Sequence, residues 1–250
     1  MSALAWFNKT HMQRLGQTRS QHRYDHLLHT PDAFVRAPLP GMSKCTAIVH
    51  AAPALGAAFT QYTAEFEAGG SLGPAPTQRF VYVLSGKLKI LGKTLGPDEY
   101  AYLPLGEEPV VATRASRATV IEKPRELLCD EALPASFAGK EADISPGALM
   151  GDPWVEVRTL IPAADLNFDF AVNTMTFQPG ASLPMVEVHV MEHGLLMLSG
   201  GGIYRLGEDW YSATAGDFIW MGPYCPQWFG AIGKTPAKYL IYKDWNRHPL

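Results

Sequence analysis

The residues best suited to metal chemistry lie in one short segment of the 250-residue chain, Glu187-Val-His-Val-Met-Glu-His193. Valines alternate there with Glu187 and His189, which is typical of a β-strand whose successive side chains point to opposite faces. The carboxylate and the imidazole would then enter one cavity, where His193 could join them. A helix is the alternative, since the two histidines are also spaced i, i+4, but the β-branched residues favour the strand.

A second segment, residues 216–227, is predicted to be a strand followed by a turn that ends at Gln227. The amide of Gln227 could bring a neutral oxygen to the same cavity. Two nitrogen and two oxygen ligands would then be available, from Glu187, His189, His193 and Gln227. Mixed nitrogen and oxygen ligation without thiolate suits Mn²⁺, Fe²⁺, Ni²⁺ or Zn²⁺. A local polar network of Glu192 and His193 is the ordinary alternative.

The elements that must position these residues occur twice in the sequence. An apolar strand ends in Ser-Gly at Gly86 and again at Gly200, 114 positions later, and each is followed by further short strands and an aromatic strand. Repetition at this distance indicates two units of domain size. Short strands, frequent turns and the duplication predict an all-β protein made of tandem double-stranded β-helix (jelly-roll) barrels.

The predicted organisation has four parts. Residues 1–40 form an N-terminal arm, 41–125 a first barrel, 126–150 a linker rich in Pro, Gly and Ala, and 151–250 a second barrel. The arm carries four histidines that lack a short fixed ligand spacing, which favours surface or packing roles over metal binding. They are His11, His22, His26 and His29.

The first copy of the repeat is an internal control for the metal hypothesis. Aligning the two Ser-Gly positions places Gly73, Ala75 and Arg79 opposite Glu187, His189 and His193, and aligning the later strands places Pro109 opposite Gln227. None of the four residues of the first copy is an ordinary metal ligand. The first barrel is therefore predicted to be a scaffold without metal ligands, and the second barrel to hold the site.

Composition excludes several other classes of protein. The net charge is −3 and the pI is about 6.2, which argues against the concentrated basic surface of a nucleic-acid-binding protein. No apolar run is long enough for a membrane span, and the first residues do not resemble a secretory signal. Three widely spaced cysteines argue against a disulfide framework. A cytoplasmic protein without a membrane or nucleic-acid partner is expected.

The two segments resemble the two cupin motifs. The first motif is occupied by Gly180, Glu187, His189, His193 and Gly200, and the second by Gly216, Gly222 and Gln227. Glu stands where the first His is usual, His where Glu is usual, and Gln where the last His is usual. This set of changes, in the second half of a bicupin, is similar to the (S)-ureidoglycine aminohydrolase family. Residues 29–35 and 239–247 extend the resemblance, which covers most of the chain.

The resemblance implies a Mn²⁺-dependent hydrolase, with other divalent metals still open, that releases ammonia from (S)-ureidoglycine to give (S)-ureidoglycolate in purine (allantoin) catabolism. By that match the metal ligands are Glu187, His189, His193 and Gln227, and the substrate is held by Tyr204, Tyr239 and Lys243. Lys243 would offer a cation to a substrate oxygen, and Glu187 would also transfer a proton. A small-molecule substrate and a homo-oligomer are implied as well.

Two other functions stay open on the sequence. One is another metal-dependent bicupin enzyme, an oxygenase or an isomerase, although the neutral amide of Gln227 is a weak ligand for redox iron. The other is a non-enzymatic cupin that binds a small molecule. Strand packing is the alternative role for the two tyrosines, and a solvated strand end for Lys243.

Overall fold

Two curled systems of antiparallel β-sheet, one for each copy of the sequence repeat, make up the protein. The structure is a computed structural model that describes residues 16–106, 108–126, 133–162 and 165–244. These ranges do not include His11, residues 245–247 or Cys129, which is one of the three cysteines. The prediction of an all-β bicupin is confirmed, since the described residues hold twenty strands and only three short 3₁₀ turns. Those turns are Pro31–Ala33, Pro53–Leu55 and Glu141–Asp143.

The first barrel follows two short strands of the N-terminal arm, β1 (Gln21–His22) and β2 (His26–His29). Its strands join in one nine-stranded sheet, in which β11, β8, β5, β10, β4, β9, β6 and β7 are successive neighbours and β3 pairs with β4. The bounds are β3 Met42–Ala51, β4 Thr60–Leu72, β5 Gln78–Ser85, β6 Leu88–Ile90, β7 Lys93–Leu95, β8 Glu99–Leu103, β9 Val110–Ala112, β10 Ser116–Lys123 and β11 Phe137–Lys140.

The second barrel consists of two facing sheets. The larger has the order β1-β2-β18-β15-β20-β14-β13-β12, and the smaller has the order β17-β16-β19. The bounds are β12 Gly147–Leu149, β13 Asp152–Thr159, β14 Ala171–Phe177, β15 His193–Ser199, β16 Gly201–Leu206, β17 Asp209–Thr214, β18 Phe218–Met221, β19 Gln227–Ala231 and β20 Ala237–Lys243.

Both faces of the central strands of the second barrel are buried, which explains their near-continuous apolar sequences. On β20, Tyr239 and Ile241 pack inside the second barrel, whereas Leu240 and Tyr242 pack in a separate core. That core also contains Phe59 and other residues of the first barrel, so it joins the two barrels. Because successive side chains point to opposite faces, a central strand such as β20 packs one face inside its own barrel and the other face against the neighbouring barrel.

The N-terminal arm belongs to the sheet of the second barrel although it precedes the first barrel in sequence. Strand β2 pairs with β18, with His26 opposite Met221. Arg19 forms an ion pair with the buried Asp217 at 2.7 Å, and Arg23 forms one with Asp209 at 3.0 Å. The predicted linker contains β11, which pairs with β8, and β12, which pairs with β13. The domain boundaries themselves stay a prediction.

Among the described residues, none of the helical segments has the length and apolar character needed to cross a membrane. Cys45 and Cys225 are both buried and free.

Candidate metal centre

The segment that carries Glu187 and His189 is a loop in the structure. Single bridges at Ser182 and Glu187 are its only ladder contacts, and β15 begins at His193. The predicted strand is therefore wrong, as is the helical alternative, because between Glu187 and Glu192 only Glu187 forms a β-bridge, with Gln227 on β19. The predicted alternation of faces is nevertheless present: the outer valines Val186 and Val188 are exposed, while Glu187 and His189 turn inward.

Four predicted side chains meet around the Nε2 atom of His189. This atom lies 3.2 Å from His193 Nε2, 2.8 Å from the amide nitrogen of Gln227 and 3.8 Å from Glu187 Oε2. His193 and Gln227 are buried, and the other two are partly exposed. The backbones of Glu187 and Gln227 exchange two hydrogen bonds of 2.9 Å, which fixes the two segments side by side. The structure therefore brings the whole predicted quartet together.

The protonation of His193 suits a cation at this point. Its Nδ1 lies 3.2 Å from the carbonyl oxygen of Tyr242, which can only accept, so Nδ1 carries the proton and Nε2 the lone pair. Burial, followed by the charge of Lys243, holds the pKa of His193 well below its usual value, so the ring is neutral. A half-turn of the Gln227 amide would present its oxygen in place of its nitrogen. The donor set therefore fits a divalent ion bound by nitrogen and oxygen.

The three predicted substrate residues come from both sheets of the second barrel, Tyr204 from β16 and Tyr239 and Lys243 from β20, and the charge of Glu187 affects the pKa of each. Tyr204 and Tyr239 are each 1% exposed, and burial, with a smaller effect of the Glu187 charge, raises the pKa of both phenols. Their hydroxyls therefore stay protonated and can donate. Lys243 lies opposite His193 in the β15–β20 pairing. Burial lowers the pKa of Lys243, and the nearby charge of Glu187 opposes that shift.

The first barrel has an ion pair at the equivalent positions. Arg79 pairs with Glu122 across β5 and β10, as His193 pairs with Lys243 across β15 and β20. The Arg79 guanidinium lies 2.8 Å from Glu122 Oε1, which also accepts from the hydroxyl of Tyr62 at 3.0 Å. Each charge is thus balanced locally, which fits the predicted scaffold role of this barrel.

Sequence reasoning missed the role of Glu192 in holding the site. The Glu192 carboxylate accepts from the backbone N–H of Ala58, at 2.9 Å, and from Trp220 Nε1, at 3.0 Å. It therefore ties the loop that carries His189 to the first barrel, instead of forming the local network with His193 that the sequence left open. Its neighbours come from distant parts of the chain, so no local pattern could have indicated this contact.

Comparison with known proteins identifies the family of this chain. Residues 173–242 match the family described as Cupin domain, so the second barrel is a cupin. The chain is 38% identical to the (S)-ureidoglycine aminohydrolase of Arabidopsis thaliana over 253 residues, covering 96% of this chain and 83% of that protein. It is 32% identical to the Escherichia coli enzyme of the same name, covering 88% of both. The chain belongs to the (S)-ureidoglycine aminohydrolase family, as its motifs predicted.

A solved structure agrees with this assignment. The crystal structure of the E. coli protein Ylba superposes with a TM-score of 0.81 at 29% identity, covering 93% of this chain and 96% of that chain. The likeness therefore includes both barrels and not only the cupin match in the second.

Proposed function

We propose that the protein is a metal-dependent hydrolase that releases ammonia from (S)-ureidoglycine and yields (S)-ureidoglycolate in purine (allantoin) catabolism. The names of its relatives support the substrate and the reaction. The observation that carries the metal-dependent mechanism is the convergence of four donor groups on one point beside His189 Nε2. Mn²⁺ is the proposed ion, although similar divalent ions would suit the same donors.

Glu187, His189, His193 and Gln227 would hold this ion. When bound, a divalent ion at such a site orients donor atoms and acidifies a coordinated water. The reaction adds water oxygen to the carbon that bears the amine, the ureido group and the carboxylate, and the C–N bond to the amine breaks so that ammonia leaves. Glu187 is the one carboxylic acid of the quartet, and in this proposal it would accept a proton from the attacking water and return it to the departing amine.

The surrounding residues orient the substrate. Lys243 supplies a compact positive charge for the carboxylate or the ureido oxygen. The protonated hydroxyls of Tyr204 and Tyr239 donate hydrogen bonds to the substrate from an otherwise apolar wall. These bonds hold the substrate in one orientation. Residues inside the second barrel, including Phe177 and Phe229, keep the remaining wall free of competing polar groups.

We further propose a cytoplasmic homo-oligomer with a small-molecule substrate and neither nucleic-acid nor membrane partners. Apolar side chains on the outside of the site loop support self-association: Met185 and Val188 are 54% and 55% exposed. A contiguous exposed apolar patch of several hundred Å² is a feature of interaction surfaces. Light scattering on the purified protein measures the number of subunits.

The function is tested with purified protein, stripped of metal and then supplied with Mn²⁺, and with freshly made (S)-ureidoglycine. Ammonia should form well above its spontaneous rate only after the metal is restored. If a fully loaded protein releases no more ammonia than buffer does, the proposed reaction is wrong. If the stripped protein, verified by elemental analysis, is equally active, the metal dependence is wrong.

Lys243→Met is expected to lower kcat/KM by about 10- to 100-fold, because a hydrogen bond to a charged group contributes roughly 1.5–3 kcal/mol. The metal content should not change, since Lys243 is not a proposed ligand. Steady-state kinetics with metal analysis separates the two effects. Lys89→Met, at an exposed position of the first barrel, is the matched control. Wild-type kinetics in Lys243→Met would place the lysine outside the reaction.

A further inference from the structure

A second group of ligating side chains lies where the N-terminal arm meets the second barrel. Asp25 and His26 come from the arm, and Cys225 comes from the loop between β18 and β19. One donor atom from each of the three lies within 4.8 Å of the other two. His26 and Cys225 are 2% and 3% exposed, so the group is shielded from solvent.

Hydrogen bonds fix the ring of His26 at this place. Its Nε2 lies 2.8 Å from the hydroxyl of Tyr211, which in turn donates to Asp209 at 3.2 Å. Arg23 holds the pKa of Asp209 below its usual value, so this carboxylate can only accept. Burial, together with the charge of Asp209, raises the pKa of Tyr211 to about 12, so the phenol keeps its proton.

Without a metal ion, ordinary hydrogen bonds satisfy the ring: the Tyr211 hydroxyl can donate to His26 Nε2, and Nδ1–H can donate to Asp25 Oδ1 at 2.8 Å. A metal ion could replace the proton at Nδ1, because the neutral ring can carry its single N–H at Nε2 instead. Nε2 would then donate to the Tyr211 oxygen, and the Tyr211 proton would go to Asp209.

Cys225 completes a set of three different donor groups. Its sulfur adds a third donor to the pair, and a thiolate is the ligand that Zn²⁺ and similar soft ions prefer. One carboxylate, one thiolate and one neutral imidazole balance the charge of a divalent ion. Space is available as well: a Cβ at Gly207 would lie 3.3 Å from Asp25 Oδ2 and 3.9 Å from His26 Nδ1, so glycine keeps this side open.

We propose that Asp25, His26 and Cys225 form a second cation site, selective for a thiophilic divalent ion such as Zn²⁺. On binding, the Cys225 thiol releases its proton to solvent and the thiolate binds the ion. Tyr211 fixes the ring of His26 from its far nitrogen, as outer partners of metal-bound histidines do.

The site would fasten the arm to the loop that leads to Gln227. Asp25 already contributes a backbone contact there, since its carbonyl oxygen accepts from the N–H of Gly222 at 2.8 Å. Cys225 lies two residues before Gln227, so an ion at Cys225 would restrict the loop next to the proposed catalytic metal. The assignment of this second site does not depend on the proposed reaction.

Co²⁺ titration of the full-length protein under reducing conditions tests the proposal. The quartet around His189 contains no sulfur, so thiolate-to-cobalt charge-transfer absorption reports the second site even when both sites are filled. We expect this absorption to reach the amplitude of one site per chain in the wild type and in the Cys45→Ser control, and to vanish in Cys225→Ser. The affinity for Zn²⁺ at this site should fall by at least about tenfold in Cys225→Ser and in Asp25→Asn.

Zn²⁺ should also raise the thermal midpoint of the wild type, because it binds only the folded state, and part of that rise should be lost in Asp25→Asn. Two results would overturn the proposal. One is no thiolate absorption in the wild type, which would leave Asp25, His26 and Cys225 as a hydrogen-bonded cluster only. The other is absorption that persists in Cys225→Ser.

Discussion

Replacing His189 with alanine is expected to abolish metal binding at the quartet and to lower kcat/KM for ammonia release by at least about 10³-fold. His189 Nε2 is the atom on which the other three groups converge, at 2.8 to 3.8 Å, so its loss removes the centre of the donor set. A metal ion contributes several kcal/mol to transition-state stabilisation in hydrolases, which corresponds to this change in rate. Metal analysis and steady-state kinetics on the same preparation measure both effects.

The control for this substitution is His22→Ala, at an exposed position of the arm. It should leave both the metal content and the rate unchanged. Circular dichroism should show both variants folded, since His189 lies in a partly exposed loop and supports no strand. A His189→Ala protein with full activity and wild-type metal content would show that the quartet is only a polar cluster.

Asp169→Ala is expected to lower the free energy of unfolding by about 3–5 kcal/mol, the usual cost of removing one partner of a buried ion pair. Asp169 Oδ2 lies 2.9 Å from Lys123 Nζ, and both side chains are 1% exposed. Gln78 donates to the other carboxylate oxygen at 2.8 Å. The substitution would leave the buried Lys123 ammonium, at the end of β10, with the half-exposed Glu126 as its remaining charged partner, at 3.1 Å.

Urea denaturation followed by fluorescence measures this loss, with the exposed Asp143→Ala as a matched control. Replacing both partners, in Lys123→Met with Asp169→Leu, should recover much of the stability, because apolar side chains of similar volume leave no unpaired charge. A double variant as unstable as the single variant would show that the ion pair is not the source of the effect.

The repeat made the two barrels predictable from the sequence. The Ser-Gly strand endings before Gly86 and Gly200 mark equivalent strands, and the register confirms the alignment that placed Arg79 opposite His193. The quartet was predictable as a group for the same reason, since side-chain alternation set Glu187 and His189 on one side. The sequence did not predict that the segment with Glu187 and His189 is a loop. A strand must pair with a neighbouring strand, and residues such as Val188 have no such partner.

Contacts between distant segments left no local signal in the sequence. Strand β2 has only four residues, and nothing in its sequence indicates that it pairs with β18 instead of the first barrel. The Lys123–Asp169 ion pair and the cluster of Asp25 with Cys225 likewise join parts of the chain that are remote in sequence. Their residue types are ordinary in isolation, and only the fold gives them partners.

Because β2 of the arm pairs with β18, the sheet of the second barrel can be completed only late in translation. During translation, β2 emerges roughly 190 residues before its partner strand exists, an interval of about 10 to 40 s at usual rates. The first barrel can collapse in that time, while the second cannot close until both ends of the polypeptide are present. The arm therefore stays without its native partner strand for most of elongation, and it can join the sheet only near the end of synthesis.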